Sequence, residues 1–143
     1  MKRIVAAILL LTCGSVAVWA DTGAIAQRRE LMKANGAAIK PLLDMLKGAP
    51  FDLAAVQKSL NTFIDASQKG PKLFPDDSKT GDTHALPAIW DNKADFDAHF
   101  AKLGADASAA LKSIKDAASF KADIKPVLQN CGACHEHYKA KDQ

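Results

Sequence analysis

Apolar residues recur every three or four positions through most of the chain, which is the spacing of one face of an α-helix. The alternation typical of a half-buried strand is almost absent. The pattern predicts four amphipathic helices, at about 25–47, 52–68, 90–117 and 119–139. Because such helices can bury their apolar faces only against one another, we expect an all-α fold, an antiparallel four-helix bundle.

The predicted core faces follow from the same spacing. On the first three helices they comprise Ile25, Met32, Ile39, Leu42, Leu43 and Leu46; then Leu53, Val56, Leu60, Phe63 and Ile64; then Phe96, Phe100, Leu103, Ala107, Leu111 and Ile114. Residues 69–87, rich in proline and glycine, predict a long connection that crosses over the bundle. Pro41 and Pro126 fall inside the first and fourth helices, where each removes a backbone donor and predicts a bend.

The first 20 residues have the features of a secretory signal peptide. Lys2 and Arg3 precede a short apolar run, and residues 18–20 fit the small-residue rule for cleavage after Ala20. The run is too short to span a bilayer comfortably. We therefore expect a signal peptide at 1–20, one domain at 21–143, export to the periplasm and no membrane insertion after cleavage.

Loss of the signal peptide changes the charge balance. The whole chain has 19 basic and 16 acidic residues, and removal of Lys2 and Arg3 leaves a formal charge of +1. Such a nearly neutral chain gives no electrostatic reason to expect nucleic acid as a partner. Cys13 would leave with the signal peptide, so that Cys131 and Cys134 are the only thiols of the mature chain.

The motif Cys131-Gly132-Ala133-Cys134-His135 is the signature of covalent haem attachment. The two sulfurs can add across the two vinyl groups of a haem, and the adjacent histidine can ligate the iron. Cys131, Cys134 and His135 continue the apolar stripe formed by Phe120, Ile124, Val127 and Leu128 and followed by Tyr138. A haem held there would therefore lie inside the domain.

Other uses of a C-x-x-C pair fit less well. A thioredoxin-like redox pair would need a surrounding βαβ pattern, which the sequence lacks. A structural zinc site needs four ligands, and there is no second cysteine pair. A disulfide between residues three apart on a helix has poor geometry.

The sequence resembles the class II c-type cytochromes, which include cytochrome c′ and its low-spin relatives. The resemblance covers nearly all of the mature chain. It rests on four segments: 28–33 (RRELMK), 73–75 (LFP), 87–90 (PAIW) and 131–139 (CGACHEHYK). It implies one covalent haem c, bound through Cys131 and Cys134, with His135 as the proximal iron ligand.

The resemblance also implies roles for other residues around the haem, first for one on the side opposite His135. In the low-spin branch a first-helix methionine is the sixth iron ligand, and here that residue is Met32. In cytochrome c′ the sixth position is open, and an apolar residue, sometimes methionine, packs over it. The family pattern further implies that Arg28 pairs with a haem propionate and that Lys139 lies beside the proximal pocket.

The context of Met32 favours the low-spin branch. We therefore expect a periplasmic carrier of single electrons with His135 and Met32 as axial ligands, which meets redox partners transiently and performs no enzymatic reaction. The alternative is a five-coordinate haem protein that binds nitric oxide or carbon monoxide. Family members are often dimers, so a homodimer is possible. Neither His84, His99 nor His137 is expected to ligate iron.

Overall fold

The structure is a computed structural model that describes the backbone of residues 19–141 and the side chains of residues 23–141. Residues 1–18 of the predicted signal peptide lie outside the described part. The described chain forms the expected four-helix bundle, with long helices α1 (Trp19–Leu46), α2 (Leu53–Lys69), α4 (Lys93–Ser113) and α5 (Ala117–Tyr138). A short helix, α3 (Ala88–Asp91), precedes α4.

The second helix begins where predicted. Asp52 is its N-cap, and its carboxylate accepts a hydrogen bond from the backbone N–H of Ala55 at 3.0 Å. The predicted crossover follows it and contains two 3₁₀ turns, Gly70–Leu73 and Asp76–Ser78. Gly70 is required where the crossover leaves α2, because a Cβ there would lie 2.1 Å from the Phe100 ring.

The third predicted helix differs in its bounds. Asn92, with φ −126° and ψ 48°, leaves the helical region and separates α3 from α4. At the other end Ile114 is extended, so α4 ends at Ser113 rather than near 117. The carboxylate of Asp116 then accepts a hydrogen bond from the Ser119 backbone N–H at 2.8 Å, in a capping box that starts α5 at Ala117.

The main apolar core lies where α1, α2, α4 and α5 meet away from the crossover. Its most deeply buried members include Leu42, Val56, Leu60, Phe63, Phe120 and Ile124. Met45 is also buried there and accepts a hydrogen bond from the Asp52 N–H. The prediction that Leu43 and Leu46 face the core is wrong, since they are 38% and 42% exposed. The true core positions of this last turn are Leu42 and Met45.

The helices pack in the order α1–α2–α4–α5, and contact between α1 and α5 is much weaker than between these neighbours. Gly104 of α4 helps α2 and α4 to approach, because a Cβ there would lie 2.4 Å from the Ser67 Oγ. No described helix is both long enough and apolar enough to cross a membrane. Because α1 and α5 contact each other only weakly, a gap remains between these two helices.

Candidate haem-binding site

The gap between α1 and α5 holds two adjoining chambers, which together form the cavity. Met32, Phe100, Cys134 and His135 border both chambers. The first also contacts Arg28, Arg29, Phe74, Thr83, His84, Ala85, Phe96, Tyr138 and Lys139, and the second Asn35, Ile39, His99, Leu103, Asn130 and Cys131. The structure therefore brings every predicted site residue, from the two distant segments 28–32 and 131–139, to the lining of these chambers.

Helix α5 positions both cysteines. One turn of helix separates Cys131 from Cys134, so both side chains face the cavity wall, where each is half-buried and free. Burial raises the pKa of the Cys131 thiol, and burial together with the charges of Cys131 and Asp95 raises the pKa of Cys134 to about 11. The thiols are therefore uncharged, which suits an apolar environment.

His135 follows Cys134 and borders both chambers, although the residue as a whole is exposed. Burial of its ring, and to a smaller degree the charge of Lys139, holds the pKa of His135 below its ordinary value. The neutral imidazole, whose ring nitrogen lone pair can ligate a metal, is thus favoured at neutral pH.

Met32 lies on α1, across the cavity from α5, and is half-buried. Its side chain therefore borders the same two chambers as His135. One turn further along α1, Asn35 borders the second chamber, and its Oδ1 is buried without a hydrogen-bond partner among the described residues.

These residues fit a covalently held haem. Two thiols and an imidazole stand together on one wall, and the surface that lines both chambers is mostly apolar. A zinc site is not supported, because within residues 23–141 no three histidine, cysteine, aspartate or glutamate side chains are placed so that together they could hold a metal ion. The buried Asn35 carbonyl also marks a place where a polar partner is missing from the protein itself.

Arg28 is only 4% exposed and binds the crossover. One terminal nitrogen donates to Ser78 Oγ at 2.8 Å and to the Leu73 carbonyl at 3.3 Å, and the other to the Ser78 carbonyl and to Thr83 Oγ1, both at 2.9 Å. Its guanidinium also lies 5.0 Å from the centre of the Phe74 ring. Arg28 thus borders the cavity and also joins α1 to the crossover, which the sequence pattern did not predict. Its pairing with a propionate stays a prediction.

The end of α5 is joined to the crossover on the other side of the cavity. Lys139 forms an isolated antiparallel bridge with Ala85. The Leu86 N–H donates to the Tyr138 carbonyl at 3.1 Å, and the Ala140 N–H to the His84 carbonyl at 2.8 Å. The crossover therefore holds both α1 and α5, and it fixes the width of the gap at this end. Lys139 lines the same chamber as His135, and its place beside a proximal pocket stays a prediction.

The sequence pattern did not predict the cluster that Tyr138, Asp95 and His99 form beside the cavity. The Tyr138 hydroxyl donates to Asp95 Oδ2 at 2.5 Å, and this bond is the main reason that the pKa of Tyr138 is raised to about 12. The His99 ring lies 5.8 Å from the Tyr138 ring. His99 borders the second chamber, and its spacing of three residues from Phe96, a member of the predicted core face, is the sequence signal for this position. His137 is exposed and outside the cavity lining.

The fold and this cavity define a class of protein, the helical bundles that carry a covalent haem near the end of the last helix. The family model described as "Cytochrome C'" matches residues 23–139. A cytochrome c′ from Rhodopseudomonas palustris is 55% identical over 134 residues, which cover 92% of either chain. A cytochrome c-556 from Agrobacterium fabrum is 38% identical over 143 residues, which cover 99% of this chain and 97% of that protein.

The solved structure of cytochrome c′ from R. palustris agrees as well, with a TM-score of 0.82 and 56% identity over 84% of this chain and 98% of that one. The chain belongs to the cytochrome c′ family, within the class II c-type cytochromes. Its cofactor is haem c, which this family attaches through cysteine. The resemblance inferred from the sequence is thereby confirmed.

Proposed function

We propose that Cys131 and Cys134 form thioether bonds to one haem and that His135 is its proximal iron ligand. In each bond a thiol hydrogen and sulfur add across a vinyl group, so nothing leaves. When bound, the haem supplies an iron that changes between ferric and ferrous states and that can bind diatomic gases. The protein holds it in an apolar cavity, presents a neutral imidazole and limits the access of water.

Covalent attachment is testable on the denatured protein. The mature protein should carry the mass of one haem after unfolding, and a Cys131→Ser/Cys134→Ser double variant should lose it on extraction with acidified organic solvent. A variant of the exposed Ser113 to Ala is a suitable control, because that residue lies outside the cavity lining. Retention of the haem by the double variant would contradict the assignment.

We further propose that the sixth iron position is open and that the protein binds small gases such as nitric oxide or carbon monoxide. The observation that carries this proposal is the 55% identity with a cytochrome c′ over nearly the whole chain. The chemistry of the cavity agrees, since Met32, Phe74 and Phe100 give a largely apolar wall suited to small apolar gases. Met32 would then pack over the open position without ligating the iron.

Absorption spectra and carbon monoxide binding test this function. An open site predicts high-spin spectra, rapid binding of carbon monoxide by the ferrous protein, and little change of the spectrum in Met32→Ala. A low-spin spectrum that becomes high-spin in Met32→Ala would overturn the proposal in favour of Met32 as a ligand.

The second candidate is the transfer of single electrons with His135 and Met32 as axial ligands, which the sequence pattern favoured first. It is supported by the Met32 side chain, which borders the same chambers as His135, and by the 38% identity with a cytochrome c-556. A thioether ligand would raise the reduction potential and exclude gases. The higher identity with a cytochrome c′ gives greater weight to gas binding. Redox partners and a homodimer stay predictions.

We propose that the protein works in the periplasm, after cleavage of the signal peptide at 1–20, as one domain at 21–143. The support comes from the charged start, the apolar run and the cleavage pattern at residues 18–20. Mass spectrometry of the periplasmic fraction should find a mature N-terminus at Asp21. Arg28 is further proposed to pair with a haem propionate, and Lys139 to lie beside the proximal pocket, because both border the same chamber as His135.

A further inference from the structure

Asn35 lines the second chamber and also a cavity between α1 and α2, and one of its polar atoms has no partner among the described residues. It lies on α1, three positions after Met32, and side chains at that spacing share a helix face. Its carbonyl Oδ1 is buried and has no hydrogen-bond partner among the described residues. A buried polar group without a partner reduces stability, so its presence calls for a partner that the protein does not itself supply.

Asn130, on α5, gives the contrast. It borders the same chamber as Asn35, but its Nδ2 donates to Asp106 Oδ2 at 2.8 Å and to the Pro126 carbonyl at 3.1 Å. The side chain of Asn130 is therefore used to join α5 to α4. Two asparagines border one chamber, and the protein pairs the amide of only one of them in this way.

The two ends of an asparagine amide have nearly the same shape, so the NH₂ group can take the place of the buried oxygen by rotation. Asn35 can then donate a hydrogen bond into the chamber. Because α1 faces α5 across the gap, a molecule bound on the side opposite His135 meets the wall formed by Met32 and Asn35.

We propose that the Asn35 amide donates a hydrogen bond to a diatomic gas held on the side of the haem opposite His135, and so slows its release. This inference rests on the proposed haem site. Met32 would supply the apolar part of that wall and Asn35 the single directional contact. Donors in this region are known determinants of how a haem protein treats a bound gas.

The test compares Asn35→Leu with the unaltered protein, using carbon monoxide on the ferrous holoprotein. Loss of the donor should raise the C–O stretching frequency in the infrared spectrum and speed carbon monoxide release by roughly 3- to 10-fold, the effect expected for one hydrogen bond. Asn61→Leu is the matched control, since Asn61 lies exposed on α2 and donates only to the Gln57 carbonyl. Asn35→Ala repeats the test if Asn35→Leu does not mature.

The same pair of variants in a Met32→Ala background separates this proposal from the proposed function. That background opens the sixth position whether or not Met32 ligates, so a shift on Asn35→Leu there supports the hydrogen bond even if the unaltered protein binds no carbon monoxide. An unchanged frequency and an unchanged release rate in this background overturn the proposal. So does a lower unfolding midpoint of Asn35→Leu without either change, because that result indicates a structural bond.

Discussion

The two ends of the bundle are stabilised by different means. Around Leu42, Leu60 and Phe63, side chains of all four long helices bury apolar surface against one another. At the crossover end, aromatic rings meet edge to face, as do Phe74 and Phe96 at a centroid distance of 4.6 Å, and polar groups of Arg28 and Trp90 bind loop carbonyls. The packed end can lose a contact only at a cost in stability, whereas the crossover end leaves a gap open for a cofactor.

The comparison predicts that the largest losses of stability come from the packed end. Leu42→Ala removes a side chain that is 0% exposed, and should lower the free energy of unfolding by roughly 2 to 5 kcal/mol. Its neighbour Leu43 is 38% exposed, so Leu43→Ala should change the free energy of unfolding by less than about 0.5 kcal/mol. Chemical denaturation measures both. Equal losses would show that the two leucines are buried alike, and the haem spectrum of folded Leu42→Ala should be unchanged.

At the crossover end, hydrogen bonds should matter more than apolar area. Arg28→Ala leaves the Ser78 and Leu73 acceptors without their buried donor, and should lower the free energy of unfolding by roughly 2 to 3 kcal/mol. Arg28→Lys should recover only a part of this free energy, because one ammonium group cannot reach all the acceptors that the two terminal nitrogens of arginine reach. Denaturation curves of both variants provide the measurement. Full recovery by lysine would mean that charge alone is required.

The smallest loss of stability is expected at the junction of the two ends, where Asp106 of α4 binds Asn130 of α5, and this loss should depend on pH. Asp106 Oδ2 accepts hydrogen bonds from Lys102 at 2.6 Å and Asn130 at 2.8 Å, and these hold the pKa of Asp106 below its ordinary value of 3.8. Asp106→Ala should lower the free energy of unfolding by about 1 kcal/mol at neutral pH. Since the folded-state pKa is lowered, this stability is present above about pH 4 and is lost as the pH falls through the folded-state pKa.

Unfolding curves of Asp106→Ala and the unaltered protein should therefore converge below pH 4. If the difference in stability between the two proteins instead stays constant as the pH falls below about 4, the charge of the Asp106 carboxylate does not contribute to stability. Lys112→Ala at the exposed end of α4 is a control with no expected pH dependence of this kind.

The sequence predicted most of this fold because helix periodicity and capping are local properties. Asp52 and the segment before α5 show this, since the bounds there follow from short-range bonds. The break at Asn92 and the exposure of Leu43 were not predictable, because they depend on which neighbours the helix meets. Cys131, Cys134 and His135 carry their chemistry in a motif. The bonds of Arg28 join residues 45 to 55 positions apart, and no local pattern could reveal them.

The ligation of the iron on the side of Met32 is the central question, and absorption spectroscopy with and without carbon monoxide answers it most directly. The open-site account predicts high-spin ferric and ferrous spectra, rapid formation of the carbon monoxide complex, and a nearly identical spectrum for Met32→Ala. A low-spin spectrum with a charge-transfer band from sulfur to ferric iron, slow binding of carbon monoxide, and conversion to high spin in Met32→Ala would contradict it and identify an electron carrier.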